Sequence, residues 1–308
     1  MKVFILTEAG RKVGFGHLTR CIALSQAFRK KGIVPLLVVN GDKSILDLLR
    51  DENYLMLNWL KNKNKLLKII KGSSTIIIDS YLASKNFYDE ISRQISGKIG
   101  MIDDFNRIEY PKGILINPSV YGGELNYPTQ RGMLYLLGKD YIILRKEFWN
   151  APEKRINKKI KNILVTFGGM NRTALIDRIT GFLEEKFDFH LYAIDVAKNK
   201  LAAGEILELM LNSDMAISGG GQTAYELARI GVPTLGVCLA DNQLLNLTYG
   251  DRAGYLKFIG WHNDGGLINK IEETAKDLSY SKRIKMNTMA KKSVDGKGAE
   301  RIVEKMME

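Results

Sequence analysis

Val3-Phe4-Ile5-Leu6, then Val13-Gly14-Phe15-Gly16-His17, then an amphipathic stretch over 18–31 form the segment whose reading decides the fold. The first run is short and apolar, with the β-branched and aromatic residues of a buried strand. Leu18, Ile22, Leu24, Ala27 and Phe28 recur at helical spacing, and Gly32 stops them. Strand, glycine loop and helix in succession open a Rossmann-type unit. The loop then lies at the carboxyl end of the strand, the edge at which open parallel sheets bind ligands. Gly14 and Gly16 permit unusual backbone angles and close approach of a ligand. His17 stands at the mouth of the helix, where the dipole favours a neutral ring able to accept a proton. No G-x-G-x-x-G is present, so this is not the dinucleotide fingerprint.

Outward from that loop, short β-branched runs alternate with longer amphipathic stretches, the pattern of an α/β protein with parallel sheets. Strands are expected at 35–39, at 75–78 ending on Asp79, at 98–102 ending on Asp103-Asp104, and at 114–116 ending on Asn117-Pro118. Helices are expected at 43–51 and 61–71. Asp79, Tyr81, Asp103, Asp104 and Asn117 thus collect past strand ends as candidate ligands for sugar hydroxyls. The paired aspartates have no histidine or third carboxylate nearby in sequence, so no metal is expected.

A polar segment with a proline, 151–161, reads as a hinge, and the pattern then restarts. A strand at 162–167 runs into Gly168-Gly169, helices are expected at 175–186 and 206–212, and a strand at 190–194. A strand at 215–218 runs into Ser218-Gly219-Gly220-Gly221-Gln222-Thr223, followed by a helix over 222–230. Backbone N–H groups and the helix dipole make that turn an anion site suited to a diphosphate, while the lack of Gly-Lys-Ser/Thr rules out a P-loop. Glu226, one turn into the helix, can accept bonds from ribose hydroxyls. After the strand at 233–237, Asp241-Asn242-Gln243 offers side-chain amides to phosphate or sugar. Arg145 precedes the hinge, and its planar fork suits a phosphate. The expected architecture is two Rossmann-like domains facing a cleft, 1–150 for the sugar and 162–308 for the nucleotide. The last helix, Gly298–Met307, is expected to pack back on the first domain.

The chain has 308 residues, 45% of them hydrophobic, which suffices for two cores. Its 46 basic and 34 acidic residues leave a net charge of +12, which favours anionic partners without selecting one. Cys21 and Cys238 are the two cysteines, far apart in apolar surroundings; they make neither a disulfide framework nor a zinc spacing. His190 and His262, the remaining histidines, read as structural or surface residues. The first apolar run reaches Glu8 too soon for a signal peptide, and no run approaches the ~18 apolar residues of a membrane span. A cytoplasmic, soluble monomer without stable membrane insertion is expected. No helix-turn-helix, zinc or aromatic RNA-binding motif supports a nucleic-acid partner.

With these residues assembled, the chain resembles the UDP-2,4-diacetamido-2,4,6-trideoxy-β-L-altropyranose hydrolases of pseudaminic acid biosynthesis, a family similar in fold to the peptidoglycan UDP-GlcNAc transferase (the GT-B type). The resemblance runs along nearly the whole chain. It is carried by Gly14-Phe15-Gly16-His17 with Arg20, Ile78-Asp79-Ser80-Tyr81, Ile102-Asp103-Asp104, Leu144-Arg145-Lys146-Glu147-Phe148, Gly168-Gly169, Ile217-Ser218 through Glu226-Leu227, and Asn242-Gln243. It implies that His17 is catalytic, that Arg145 and Glu226 contact the nucleotide, and that Tyr81 and Asn242 lie at the sugar. It also implies uridine as the base and a place in flagellin or surface glycan biosynthesis. Two departures stand near the sugar and phosphates. Thr7-Glu8-Ala9 replaces the usual Arg-x-Asp, and Gly168-Gly169-Met170-Asn171 replaces Gly-Gly-x-Asp.

The expected reaction is metal-independent, cofactor-free hydrolysis of the sugar C1–O bond of a UDP-sugar, inverting, with His17 as general base on water. The sugar would meet Gly14, Gly16, Arg20, Asp79, Tyr81 and Asn242. The nucleotide would meet Arg145, Gly168, Gly169, Ser218–Thr223, Glu226 and Gln243. A GT-B glycosyltransferase with an acceptor hydroxyl in place of water is the alternative, and a non-catalytic nucleotide or nucleic-acid binding module the minor one.

Overall fold

The computed structural model describes residues 1–308 except 12, 170, 171, 196, 197, 199 and 200. The chain divides into two compact units, 1–146 with 297–308, and 147–296.

The first unit is built on seven strands: β1 (Val3–Ala9), β2 (Leu36–Gly41), β3 (Tyr54–Met56), β4 (Thr75–Asp79), β5 (Lys98–Ile102), β6 (Gly113–Asn117) and β7 (Met133–Leu137). They form one sheet in the order β3-β2-β1-β4-β5-β6-β7, with every pairing parallel. β1 and β4 are buried along their whole length, as central strands covered on both faces must be, so they are apolar runs rather than alternating ones. Helices α1 (Gly16–Lys30), α2 (Lys63–Ile70) and α3 (Lys85–Gln94) connect strands. Phe4, Leu6, Val38, Trp59, Ile76, Ile78, Phe87 and Met101 meet in the core. The last helix, Gly298–Met307, also belongs to this unit. A Cβ at Gly298 would lie 2.2 Å from the carbonyl oxygen of Ile142, so only glycine lets the helix enter this close to the backbone. Lys31 pairs with Glu304 at 3.0 Å along its contact with α1.

The second unit carries β8 (Asn162–Thr166), β9 (His190–Ile194), β10 (Met215–Gly219), β11 (Thr234–Cys238) and β12 (Leu256–Trp261), in the order β12-β11-β10-β8-β9. All of its pairings are parallel as well. Around them lie α4 (Thr173–Lys186), α5 (Ala203–Asn212), α6 (Gln222–Ile230), α7 (Asp241–Ala253), α8 (Leu267–Asp277) and α9 (Tyr280–Ser293). Residues 151–161 are held to this unit. Asp214 accepts from the Asn157 side chain and from the backbone N–H groups of Lys161 and Asn162 at 2.7–2.9 Å. The buried Arg283 guanidinium donates to the carbonyls of Asn157 and Lys158, both at 2.8 Å.

One local expectation is corrected. The helix expected at 43–51 is a single 3-10 turn, Lys43–Ile45, followed by turns. Asp42 caps it by accepting from Ser44 N at 2.8 Å, and it also accepts from Arg11 N at 3.1 Å. That carboxylate ties the segment to the loop after β1 and offers the backbone an alternative to a helix. Asp241-Asn242-Gln243 forms the first turn of α7. Among the described residues no helix is long and apolar enough to cross a membrane.

Strand order reverses once in each sheet. In the first unit the chain winds outward from β1 one way to β3, then returns to place β4 on the other side of β1. In the second, β9 and β10 flank β8. Loops leaving neighbouring strands at such a switch point diverge and leave a crevice, so ligand sites are expected after β1 and β4, and after β8 and β10.

Candidate active site

The loop after β1 closes on itself. Gly10 N donates to Gly14 O at 3.1 Å and Gly14 N to Gly10 O at 2.7 Å. Gly14 sits at φ +91°, a conformation that side-chain-bearing residues rarely adopt. Beyond it α1 begins at Gly16, and the space where Cβ atoms of Gly14 and Gly16 would stand is open. His17 therefore enters α1 on its first turn, beside an uncrowded stretch of backbone.

Its ring is held by β4. Thr7 of β1 is level with Asp79 of β4, and the Asp79 carboxylate meets His17 Nδ1 at 2.7 Å. Arg20, three residues further along α1, lays its fork on the same carboxylate, Nε to Oδ2 at 2.5 Å and Nη2 to Oδ1 at 2.6 Å. Its outer edge grips Asp104 with two further bonds of 2.9 Å. Burial pushes the Asp79 carboxyl up, but the Arg20 guanidinium, through charge and hydrogen bonds, and the hydrogen bond from His17 outweigh it and hold the group well below the usual carboxylate range. Asp79 therefore has no proton to give. The hydrogen in the contact belongs to His17 Nδ1, so that in the neutral form of the ring Nε2 is the acceptor.

Tyr81 completes the circuit. Its hydroxyl donates to Asp104, and its ring stands edge-on to His17 with centroids 4.3 Å apart and planes at 89°. Burial and the neighbouring Asp104 raise the phenol far above its ordinary range, so it stays a donor. Asp79, Asp104 and Arg20 carry two negative charges and one positive. The cluster is thus one positive charge short, complementary to a ring that has just taken a proton.

The structure brings together Gly14, Gly16, His17, Arg20, Asp79 and Tyr81, all proposed from sequence. It also shows that Asp79 and Arg20 are occupied by one another. Asp103 and Asn117 serve local architecture. Asp103 accepts from Asn106 N, Arg107 N and the hydroxyls of Tyr110 and Tyr127 at 2.6–3.2 Å. Asn117 bonds Tyr127 and Ser119 N, both at 3.0 Å. Sequence reading names Asp104 only as a possible sugar ligand, names Glu8 only within the departure Thr7-Glu8-Ala9, and does not find the contact of Cys21 Sγ with Asp79 at 3.6 Å. Besides that departure, the signal for Glu8 is a carboxylate inside a buried strand.

In the second unit, Gly168 and Thr223 meet: a Cβ at Gly168, which has φ +66°, would stand 3.0 Å from Thr223 Oγ1. The loop after β8 is thereby packed against the start of α6. Ser218, buried at the end of β10, has an Oγ without a hydrogen-bond partner. Gly219, Gly220 and Gly221 lead from it into α6. Gln243 Oε1 accepts from Gly220 N at 3.0 Å and Leu239 N at 3.3 Å, so the Gly220 N–H is already engaged. The first turn of α6, at Gln222 and Thr223, directs its backbone N–H groups out of the N-terminal end of the helix. Glu226 follows one turn later and is 2% exposed. Asn242 is exposed on the first turn of α7, and Arg145 is half-buried just before the end of the first unit's long segment. Met170 and Asn171, where the Gly-Gly-x-Asp pattern is broken, lie outside the described residues.

This architecture has close structural relatives. MurG of Acinetobacter baumannii matches 100% of the chain over 99% of its own length, with a TM-score of 0.71 at 12% identity. The spinosyn rhamnosyltransferase SpnG in complex with thymidine diphosphate matches 99% of the chain over 100% of its own, with a TM-score of 0.66 at 11% identity. The fold is of GT-B type. No family model matches the sequence. Curated sequence relatives do. An uncharacterized protein of Methanocaldococcus jannaschii is 26% identical over 84% of the chain. The pseudaminic acid cytidylyltransferase and UDP-2,4-diacetamido-2,4,6-trideoxy-β-L-altropyranose hydrolase of Helicobacter pylori is 24% identical over 92%. The chain spans 59% and 54% of the lengths of these two. The spore coat polysaccharide biosynthesis protein SpsG of Bacillus subtilis is 24% identical over 98% of the chain and 96% of its own length. The resemblance to the UDP-sugar hydrolase family read from the motifs is thus supported along the chain.

Proposed function

We propose that the protein hydrolyses the sugar C1–O bond of a UDP-linked amino-deoxy sugar in a surface glycan pathway of the pseudaminic acid type. The observation that carries this reading is the His17–Asp79 pair at the switch point of the first sheet. There an ionised carboxylate fixes Nδ1–H and leaves Nε2 to accept a proton. The oxygen of a water attacks C1 opposite the diphosphate, and one of its protons passes to His17 Nε2. The C1–O bond breaks, UDP leaves with the electron pair, and the configuration inverts. General base catalysis of this kind contributes about 10²–10⁴-fold. The sugar is assigned to the surroundings of Gly14, Gly16 and Tyr81, with Arg20 and Asp79 holding the base.

The diphosphate is assigned to the first turn of α6 beside Gly168 and Gly169, with Ser218 Oγ as a further donor and Gln243 shaping the loop. Arg145 and Glu226 are assigned to the phosphates and ribose. The positive potential then comes from the helix dipole, N–H groups and a guanidinium, and the reaction needs no metal.

A glycosyltransferase would use the same base on an acceptor hydroxyl, and the likeness to a rhamnosyltransferase favours that second reading. A proton NMR time course on UDP-2,4-diacetamido-2,4,6-trideoxy-β-L-altropyranose without any acceptor separates them. Release of free sugar, first seen as the anomer of opposite configuration, supports hydrolysis. A UDP-sugar that persists until an acceptor is added overturns it in favour of transfer.

A further inference from the structure

Glu8 is a fully buried carboxylate near the end of β1, and it binds nothing on its own strand. Its Oε1 accepts from the backbone N–H groups of Tyr81 at 2.8 Å and Leu82 at 3.1 Å, and its Oε2 from the Ser80 hydroxyl at 2.6 Å. Ser80 Oγ in turn accepts from Leu82 N at 3.1 Å and Ala83 N at 2.9 Å. From the other side Arg107 Nη2 donates to the carbonyls of Ser80 at 3.2 Å and Ala83 at 2.8 Å. The turn after β4 is therefore pinned through the N–H groups of residues 81, 82 and 83 and through two of its carbonyls. A turn at a strand end ordinarily leaves such groups to water. This one is fixed by a carboxylate and a guanidinium, and it carries Tyr81, whose ring lies against His17.

We propose that Glu8 is a positioning residue for the His17 site. By fixing the turn 80–83 it sets the Tyr81 ring against the imidazole and the Tyr81 hydroxyl on Asp104, and so holds the base at its angle. Asp79 restrains His17 at Nδ1 alone, which leaves the ring free to pivot about that contact; the edge of Tyr81 removes this freedom. The inference rests on the hydrolase reading for its kinetic consequence, but not for its structural one. Misplacing a reacting group by about 1 Å can lower the rate on the order of 100-fold.

The test compares Glu8→Ala and Glu8→Gln with the wild type. Gln keeps the length and one carbonyl acceptor for the two N–H groups; Ala keeps neither. Two readouts are taken: kcat and KM on the same UDP-sugar, and the imidazole proton and ¹⁵N resonances of His17, which report the Tyr81 ring current and the tautomer without any turnover. Glu8→Ala is expected to lower kcat about 10–100-fold with KM changed less than about threefold, and to shift the His17 resonances. Glu8→Gln is expected to restore both to near wild type. Wild-type resonances and kcat in Glu8→Ala would overturn the proposal. So would Glu8→Gln as impaired as Glu8→Ala, or a loss confined to KM. If Glu8→Ala does not fold, Glu8→Gln and the His17 resonances decide alone: a Glu8→Gln protein with displaced His17 signals counts against the proposal. If the wild type releases sugar from no UDP-sugar, the hydrolase reading fails, while the resonances still decide the role of Glu8.

Discussion

His17 Nδ1 lies 2.7 Å from Asp79 Oδ1, across the one place in the first sheet where strand order reverses. The carboxylate is closed in by Arg20, which leaves His17 Nε2 as the atom through which this ring can do chemistry.

His17→Asn should keep UDP binding, because His17 is not among the groups assigned to the nucleotide. Its kcat for UDP-sugar hydrolysis should fall by about 10²–10⁴-fold. Calorimetric titration with UDP and the NMR assay check both halves; a variant with wild-type turnover would remove His17 as the base.

Asp79→Asn replaces an acceptor-only group with one that also donates, so the ring can take the wrong tautomer and kcat should drop at least 10-fold. Stability should fall too, by about 3–5 kcal/mol near neutrality, since Arg20 loses one partner of a buried pair. The sign with pH follows from the depressed carboxyl of the folded protein. Its stabilisation is full above the unfolded value of about 4 and is lost as pH falls below that toward the folded value. The gap between wild type and Asp79→Asn in urea unfolding should therefore be full at pH 7 and narrow below about pH 4. A gap that widens on acidification would contradict this.

Gln243→Ala should leave the buried N–H groups of Gly220 and Leu239 without an acceptor, destabilising the second unit by about 1–3 kcal/mol. UDP should bind more weakly, because the glycine loop is no longer held. Gly220→Ala should do the same by another route, since its Cβ would stand 2.6 Å from Leu247 Cγ and 2.8 Å from Gln243 O. Thermal melts with and without UDP read both effects; unchanged melts in both variants would count against the loop's role.

Hydrolysis should proceed at an unchanged rate in excess chelator, because the charge opposite the diphosphate is assigned to the chain itself. Loss of activity in chelator with recovery on magnesium would refute the metal-free form of the reaction.

The elements nearest to the sites were legible in the sequence because their signals are local. The apolar run of β1, the glycines at 14 and 16 and the helical spacing after His17 all lie within one strand–loop–helix passage. Gly219–Gly221 before α6 was legible for the same reason. The segment 43–51 was misread because its leucines have helical spacing, while the feature that prevents a helix, the Asp42 carboxylate bonded to Arg11 N, lies outside the window. Arg20 and Asp79 were read as ligands for a sugar, and the structure joins them to each other. The role of Glu8 was not legible because its partners stand 72 to 74 residues downstream.

The sequence by itself determined two Rossmann-like halves and the loops from which the chemistry is drawn, because strand, helix and turn preferences depend on neighbours a few residues apart. Tertiary structure decided which strand ends stand side by side, and hence which charges meet. β1 pairs with β4 rather than only with β2, and that pairing carries Asp79 to a histidine 62 residues before it. The physical reason is that a buried charge is tolerated only when its partners surround it. Those partners are chosen by sheet order and packing, which no short stretch of sequence contains.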